Sequence, residues 1–135
     1  MSEENVEVVK VAYEAFAHEG LDRFMEHFTD DVEYHVLAGA GDLIHGPIYG
    51  KNALREWLQD WVDTFDGFWM ELVELIDADG VTVFTAERYG GGARLSGVET
   101  DSANWTVFNI RDGTIARGHE YETREQALEA AGLSE

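Results

Sequence analysis

Asn104 to Leu133, NWTVFNIRDGTIARGHEYETREQALEAAGL, is the stretch on which the fold of this chain turns. Two runs of alternating apolar residues flank Arg111-Asp112-Gly113-Thr114, and an Asp-Gly pair favours the left-handed backbone of a tight hairpin. The second run closes with Gly118-His119-Glu120-Tyr121. Thr123 and Gln126 then supply a capping box for a short helix that stops at Gly132. A hairpin that delivers a carboxylate and passes into a helix is a place for a pocket base. Glu120 therefore needs walls and a partner from the rest of the chain.

Upstream lie more strands. Phe68 to Ile76 and Val81 to Tyr89 alternate on either side of Asp77-Ala78-Asp79-Gly80, a second hairpin turn. Gly90 to Gly92 reads as a loop, followed by Ala93 to Glu99 and then Ser102 to Ile110 as strands. Before them, Lys51 to Phe65 carries Leu54, Trp57, Leu58, Trp61, Val62 and Phe65 at helical spacing, and Asp66-Gly67 stops it. Such a stripe, continued by Trp69, reads as core in preference to a stacking platform. Val32 to Leu37 alternates as a strand and enters a glycine-rich loop, Ala38 to Gly50, that holds the only proline, Pro47.

The chain starts with two helices. Ser2 with Glu3 and Glu4 is a helix-start signal, and Val6, Val9, Tyr13, Phe16 and Ala17 repeat at helical spacing to about His18. Gly20 interrupts, and Leu21, Phe24, Met25 and Phe28 continue in a shorter helix. Helices first and a strand meander after make an α+β chain, and 135 residues make it a single domain, 1–135. So few helices cover one sheet face. The other face, also rich in apolar residues, is expected to meet a second copy in a homodimer.

Charge narrows the partners. Asp and Glu total 28 against 9 Lys and Arg, a net charge of −19, which repels nucleic acid and anionic lipid. No glycine-rich phosphate loop is present, so no nucleotide cofactor is expected, and without Cys there is no thiolate ligand or nucleophile. Five scattered histidines, of which only His35 and His45 flank one loop, do not make a metal site. No apolar run reaches membrane-spanning length and the start MSEENVEVVK lacks a cationic apolar leader, so a cytoplasmic location is expected.

Four stretches, YEAFAHEGLDRFMEHFTDDVEYH, GPIYGKNALREWLQDW, VFNIRDGTIARGHEYE and TREQALEAAGL, resemble the nuclear transport factor 2-like superfamily and, within it, the SnoaL-like branch. The resemblance implies a cone: a strongly curved, mostly antiparallel sheet around N-terminal helices, with a pocket at its open end. It covers ketosteroid isomerases, polyketide cyclases, limonene-type epoxide hydrolases and non-catalytic binding modules, so it implies a fold more than an activity. Tyr13 matches the oxyanion-donating tyrosine of the isomerases, but their aspartate base falls at Val36, and their second acid falls near Thr106. Against the epoxide hydrolases, Glu120 matches the water-activating acid, Arg88 the arginine of the acid–arginine–acid relay, and Tyr34 a water-holding tyrosine. Gly90 stands in place of the second relay acid, which leaves Asp101 as a substitute, and Val36 replaces the water-holding asparagine.

Strand parity adds a second expectation. If Glu120 points inward, so do Gly118 and Ala116, whose small size leaves room beside the carboxylate. Trp105 and Val107, and Phe84, Ala86 and Arg88, are assigned to the same inner face. With Tyr13, Val36 and Tyr34, which the resemblance implies, the expected pocket sets Phe84, Trp105, Val107 and Gly118 around Glu120 and Arg88, fitted to a small apolar ligand with a polar end. Two readings of Glu120 and Arg88 stay open. They are a buried ion pair tying two strands, or the base and its orienter in cofactor-independent acid–base chemistry. The function expected from sequence is a SnoaL-like small-molecule pocket, with a non-catalytic binding or scaffolding domain as the alternative.

Overall fold

The structure is a computed structural model and describes residues 2–36, 47–93 and 98–133. Its elements run α1 (Ser2–Glu19), α2 (Leu21–Met25), β1 (Phe28–His35), β2 (Pro47–Tyr49), α3 (Lys51–Thr64), β3 (Phe65–Asp77), β4 (Thr82–Ala93), β5 (Glu99–Arg111), β6 (Thr114–Tyr121) and α4 (Arg124–Ala130). The strands form one sheet in the order β2-β1-β6-β5-β4-β3, antiparallel throughout except for the parallel pair β1–β6. This is the expected α+β arrangement, with the sheet curled around the N-terminal helices.

Local chemistry accounts for the boundaries. Gly20, at φ 93°, closes α1 through its N–H to Phe16 O (3.0 Å) and lets α2 start at once. That second helix is shorter than the apolar spacing suggests, because Phe28 already belongs to β1. Asp112 and Gly113, at φ 53° and 76°, make the two-residue turn between β5 and β6. At the β3–β4 turn, the Asp79 carboxylate accepts from Val81 N–H and Thr82 N–H. Thr123 Oγ1 accepts from Gln126 N–H at 3.1 Å, the expected cap, while the Gln126 side chain reaches one residue further back than a capping box requires, to Glu122 N–H.

Two sequence expectations on strand limits are corrected. Gly90, Gly91 and Gly92 are not a loop; they continue β4, opposite Asp101, Thr100 and Glu99. Gly91 has no room for a side chain, since a Cβ there would lie 2.9 Å from Phe65 Cβ. Within the expected loop Ala38 to Gly50, Pro47–Tyr49 forms the edge strand β2. Residues 37–46, and 94–97 of the expected strand Ala93 to Glu99, lie outside the described residues.

The core is split by the sheet. On the concave side Val9, Ala12, Tyr13, Phe24, Phe28, Val32, Leu54, Val83, Phe108 and Ile115 pack together between the helices and the strands. On the convex side Ala127 and Leu128 of α4, with Ala131 just after it, cover Phe84 and Val107. The Arg124 guanidinium sits 5.8 Å from the centre of the Phe84 ring and pairs with Glu74 (2.8 Å). The convex face thus carries its own helix and is not free over its whole width.

Candidate functional site

A bulge in the closing hairpin sets which side chains share a face. From the turn, Arg111 pairs with Thr114 and Ile110 with Ile115, but the next rung joins Asn109 to Arg117, and Ala116 is the extra residue. The slip reverses the facing of every later β6 residue relative to β5. Glu120 therefore stands opposite Thr106, and Gly118 opposite Phe108. Trp105 and Val107 go to the other face. The β4–β5 ladder runs without a slip, so Phe84, Ala86 and Arg88, paired with Val107, Trp105 and Ala103, go with them.

Five residues expected on the inner face, Phe84, Ala86, Arg88, Trp105 and Val107, thus belong to the convex side. Phe84, Val107 and Trp105 pack with α4. Arg88, with 48% of its side chain exposed, binds Asp101 through two nitrogens and lies 3.9 Å from Glu71. Asp101 is therefore a surface partner of Arg88 and no replacement for a pocket acid. Val36 is half-buried against the main core and is not a cavity wall. Tyr13, Tyr34 and Glu120 do meet in one cavity.

That cavity, of about 100 Å³, lies between α3 and the concave sheet, with Trp57, Trp61, Phe68, Tyr89, Phe24 and Phe28 among its walls. Its polar atoms converge from five elements. Tyr34 Oη donates to Glu120 Oε2 at 2.5 Å. Tyr13 Oη donates to Glu87 Oε2 at 3.1 Å. The Thr106 hydroxyl lies 3.0 Å from both Glu87 oxygens, the Thr85 hydroxyl lies 3.2 Å from Oε2, and Asn104 donates to Thr106 at 3.3 Å. Gly118 stands beside Tyr34 without opening free space: the Tyr34 ring fills the room the missing side chain leaves.

Glu87 is the group the sequence reading missed. It is 5% exposed, and its described hydrogen-bond partners are all neutral hydroxyls. Burial, reinforced by the nearby Glu120 charge and only partly offset by the Thr106, Thr85 and Tyr13 hydroxyls, lifts its carboxyl from the ordinary 4.5 to about 8. Burial and then the Glu120 charge push the Tyr34 phenol well above its ordinary value, and burial and Glu87 do the same for Tyr13, so both stay donors. The signal was present in AERY. Strand alternation puts only one of Glu87 and Arg88 inside, and the bulge at Ala116 selects Glu87.

On the convex face His35 stacks on His119 (4.7 Å) and His119 on Tyr121 (4.5 Å), while Glu33 pairs with His35 and Arg117. No group of three metal-ligating side chains occurs among the described residues. His45 lies outside them. No described helix is long and apolar enough to cross a membrane.

Solved structures with this fold include Bal32a from a soil-derived mobile gene cassette, at 22% identity over 96% of both chains with a TM-score of 0.76. TerC co-crystallised with polyporic acid aligns at 19% identity over 96% of this chain and 98% of its own, with a TM-score of 0.74. A protein of ketosteroid isomerase-like fold from Catenulispora acidiphila, in complex with trimethylamine, aligns at 17% identity over 95% and 94%, with a TM-score of 0.71. At these identities the likeness is one of fold. A comparison with curated proteins gives no match. Residues 9–118 match the model of the SnoaL-like domain, and the chain belongs to that family.

Proposed function

We propose that this protein binds a small, largely apolar molecule by its polar end in the concave cavity, and that it acts on that molecule by cofactor-independent acid–base chemistry. The observation that carries the reading is the pair of acids in one aromatic cavity, Glu120 held by Tyr34 and Glu87 held by Tyr13. Glu87, enclosed by neutral hydroxyls and raised to about 8, is suited to a different role from Glu120. Glu120 is the base, taking a proton from the bound molecule or from water, and Tyr34 orients it. Glu87, neutral at pH 7, is the second group able to exchange a proton with the ligand. Hydration, dehydration, isomerisation or cyclisation all fit this pair. Arg88 has no part in it.

The volume favours one limit. At about 100 Å³ the cavity lies below the usual range of drug-sized sites, which favours a compact ligand. Trimethylamine, bound by one structural neighbour, is of that class. The same small volume, narrowed by Phe24, Phe28 and Trp61, favours a second reading, a ligand-binding domain without turnover.

A panel of small epoxides, cyclic enones and hydroxyketones, followed by NMR for binding and conversion, separates the two. Conversion that Glu120→Gln abolishes, with the fold intact, supports the catalytic reading. Full activity in that variant refutes Glu120 as the base. Binding without conversion across the panel supports the second reading.

A further inference from the structure

We propose that the ligand of this cavity carries a small organic ammonium group, seated between the Glu87 carboxylate and the aromatic side chains of α3. The inference rests on the cavity's taking a small molecule and is indifferent to turnover. Charge is the first ground. Among the described residues the only charged types lining the cavity are Glu87 and Glu120; no Lys, Arg or His joins them. The cation nearest in sequence, Arg88, is engaged with Asp101 and Glu71 on the far side of the sheet. An anionic ligand would enter beside two acids. A cation enters down the field of a chain with net charge −19.

The walls are the second ground. Trp57 and Trp61 meet edge to face at 6.2 Å, and Trp61 meets Tyr89 in the same way at 5.6 Å, so ring faces are turned in more than one direction about the cavity. A desolvated alkylammonium on such faces gains cation–π attraction that a neutral molecule of equal shape does not. Size agrees, because a methylated ammonium head is compact enough for about 100 Å³ whereas a multi-ring ligand is not.

The hydroxyls around Glu87 make the site switchable by its ligand. Tyr13 from α1, Thr85 from its own strand and Thr106 from β5 can all donate to a carboxylate. The other titratable groups facing the cavity are Glu120 from β6, Tyr34 from β1 and Tyr89 from β4; α3 and β3 present Trp57, Trp61, Phe68 and Met70, which carry no charge. Without a cation, burial keeps the Glu87 proton on. When the ammonium enters, that O–H bond breaks, the electron pair stays on Glu87 as carboxylate, and the proton leaves to solvent.

Calorimetric titration with tetramethylammonium, which does not itself titrate, and with neutral tert-butanol, at constant ionic strength from pH 6 to 9, tests this. The expected result is a tetramethylammonium affinity that rises by up to about tenfold per pH unit and levels above about pH 8. Release of a proton at pH 7, seen as a buffer-dependent heat, should accompany it, with weaker and pH-independent binding of tert-butanol. Glu87→Gln should flatten the tetramethylammonium profile; if that variant does not fold, the wild-type proton release carries the test. Tetramethylammonium binding that is flat with pH, as attachment to the acidic exterior would be, overturns the proposal. Binding of tert-butanol alone overturns it and leaves the small-molecule reading standing, whereas binding of neither compound overturns both.

Discussion

The ring of Tyr34 occupies the volume that a side chain on Gly118 would fill: a Cβ there would lie 2.7 Å from Tyr34 Cδ1 and Cε1. The two residues face each other across the parallel pair β1–β6, and the contact fixes the ring whose hydroxyl reaches Glu120. Glycine is required here by space.

Alanine at Gly118 should therefore cost about 1–3 kcal/mol of stability, the usual penalty for overpacking, and should push Tyr34 off Glu120. Chemical denaturation measures the first and a crystal structure the second. In a Tyr34→Ala background the cost should shrink, because the next nearest atom, Phe108 Cε1, lies further off at 3.1 Å. Strict additivity of the two substitutions would contradict the packing account.

Stability should respond to pH through Glu87. Its folded-state acidity is weakened from 4.5 to about 8, so the folded protein holds a proton that the unfolded chain has lost across that interval. The stabilisation is complete below about pH 4.5 and is lost as pH rises to about 8, at up to ~1.4 kcal/mol per pH unit. Glu33 and Glu74, held low chiefly by His35 and Arg124 respectively, work in the opposite sense and act below their ordinary value. Denaturation midpoints from pH 5 to 8 should fall in the wild type and much less in Glu87→Gln. Parallel profiles would contradict the assignment.

Arg88→Ala should leave ligand binding, conversion and fold unchanged, since the guanidinium is a convex-face group bridging Asp101 and Glu71 in solvent. Calorimetry and NMR on the variant check this. Loss of binding would return Arg88 to the cavity.

Two copies are expected to pair through the part of the convex face that α4 leaves open. Trp69, Trp105, His119 and Tyr121 are half-buried on that face, and Val73 of β3 is an exposed apolar side chain (59%). Sizing with light scattering at micromolar concentration should give the mass of a dimer, and Val73→Asp should weaken it. A monomer mass would refute the pairing.

Much of the fold was legible because it is written in local chemistry. Asp112-Gly113, Thr123 with Gln126, and the helical stripe from Leu54 to Trp61 each specify their own element. The site was legible only where a residue's facing did not depend on counting through an irregular strand. Tyr13 sits on a helix and Tyr34 on a strand whose cavity end pairs regularly with β6, and both line the cavity. Arg88, Phe84, Trp105 and Val107 form one consistent face of β4 and β5, yet a one-residue bulge at Ala116 puts that face opposite to Glu120. Nothing in IARGHEY marks a bulge; beside it, Ile115 N–H bonds outside the hairpin, to His27 O at 2.8 Å. Glu87 was hidden by the same slip.

The concave cavity holds two carboxyl groups in different surroundings, Glu87 kept neutral at pH 7 by burial and the neighbouring Glu120 charge. Site-resolved carbon NMR of the glutamate side-chain carboxyls, followed from pH 4 to 10, reads it directly. Glu87 should titrate at about 8, and Glu120→Gln should move that midpoint down by removing the neighbouring charge. A Glu87 midpoint near 4.5, unmoved by the substitution, would contradict the account.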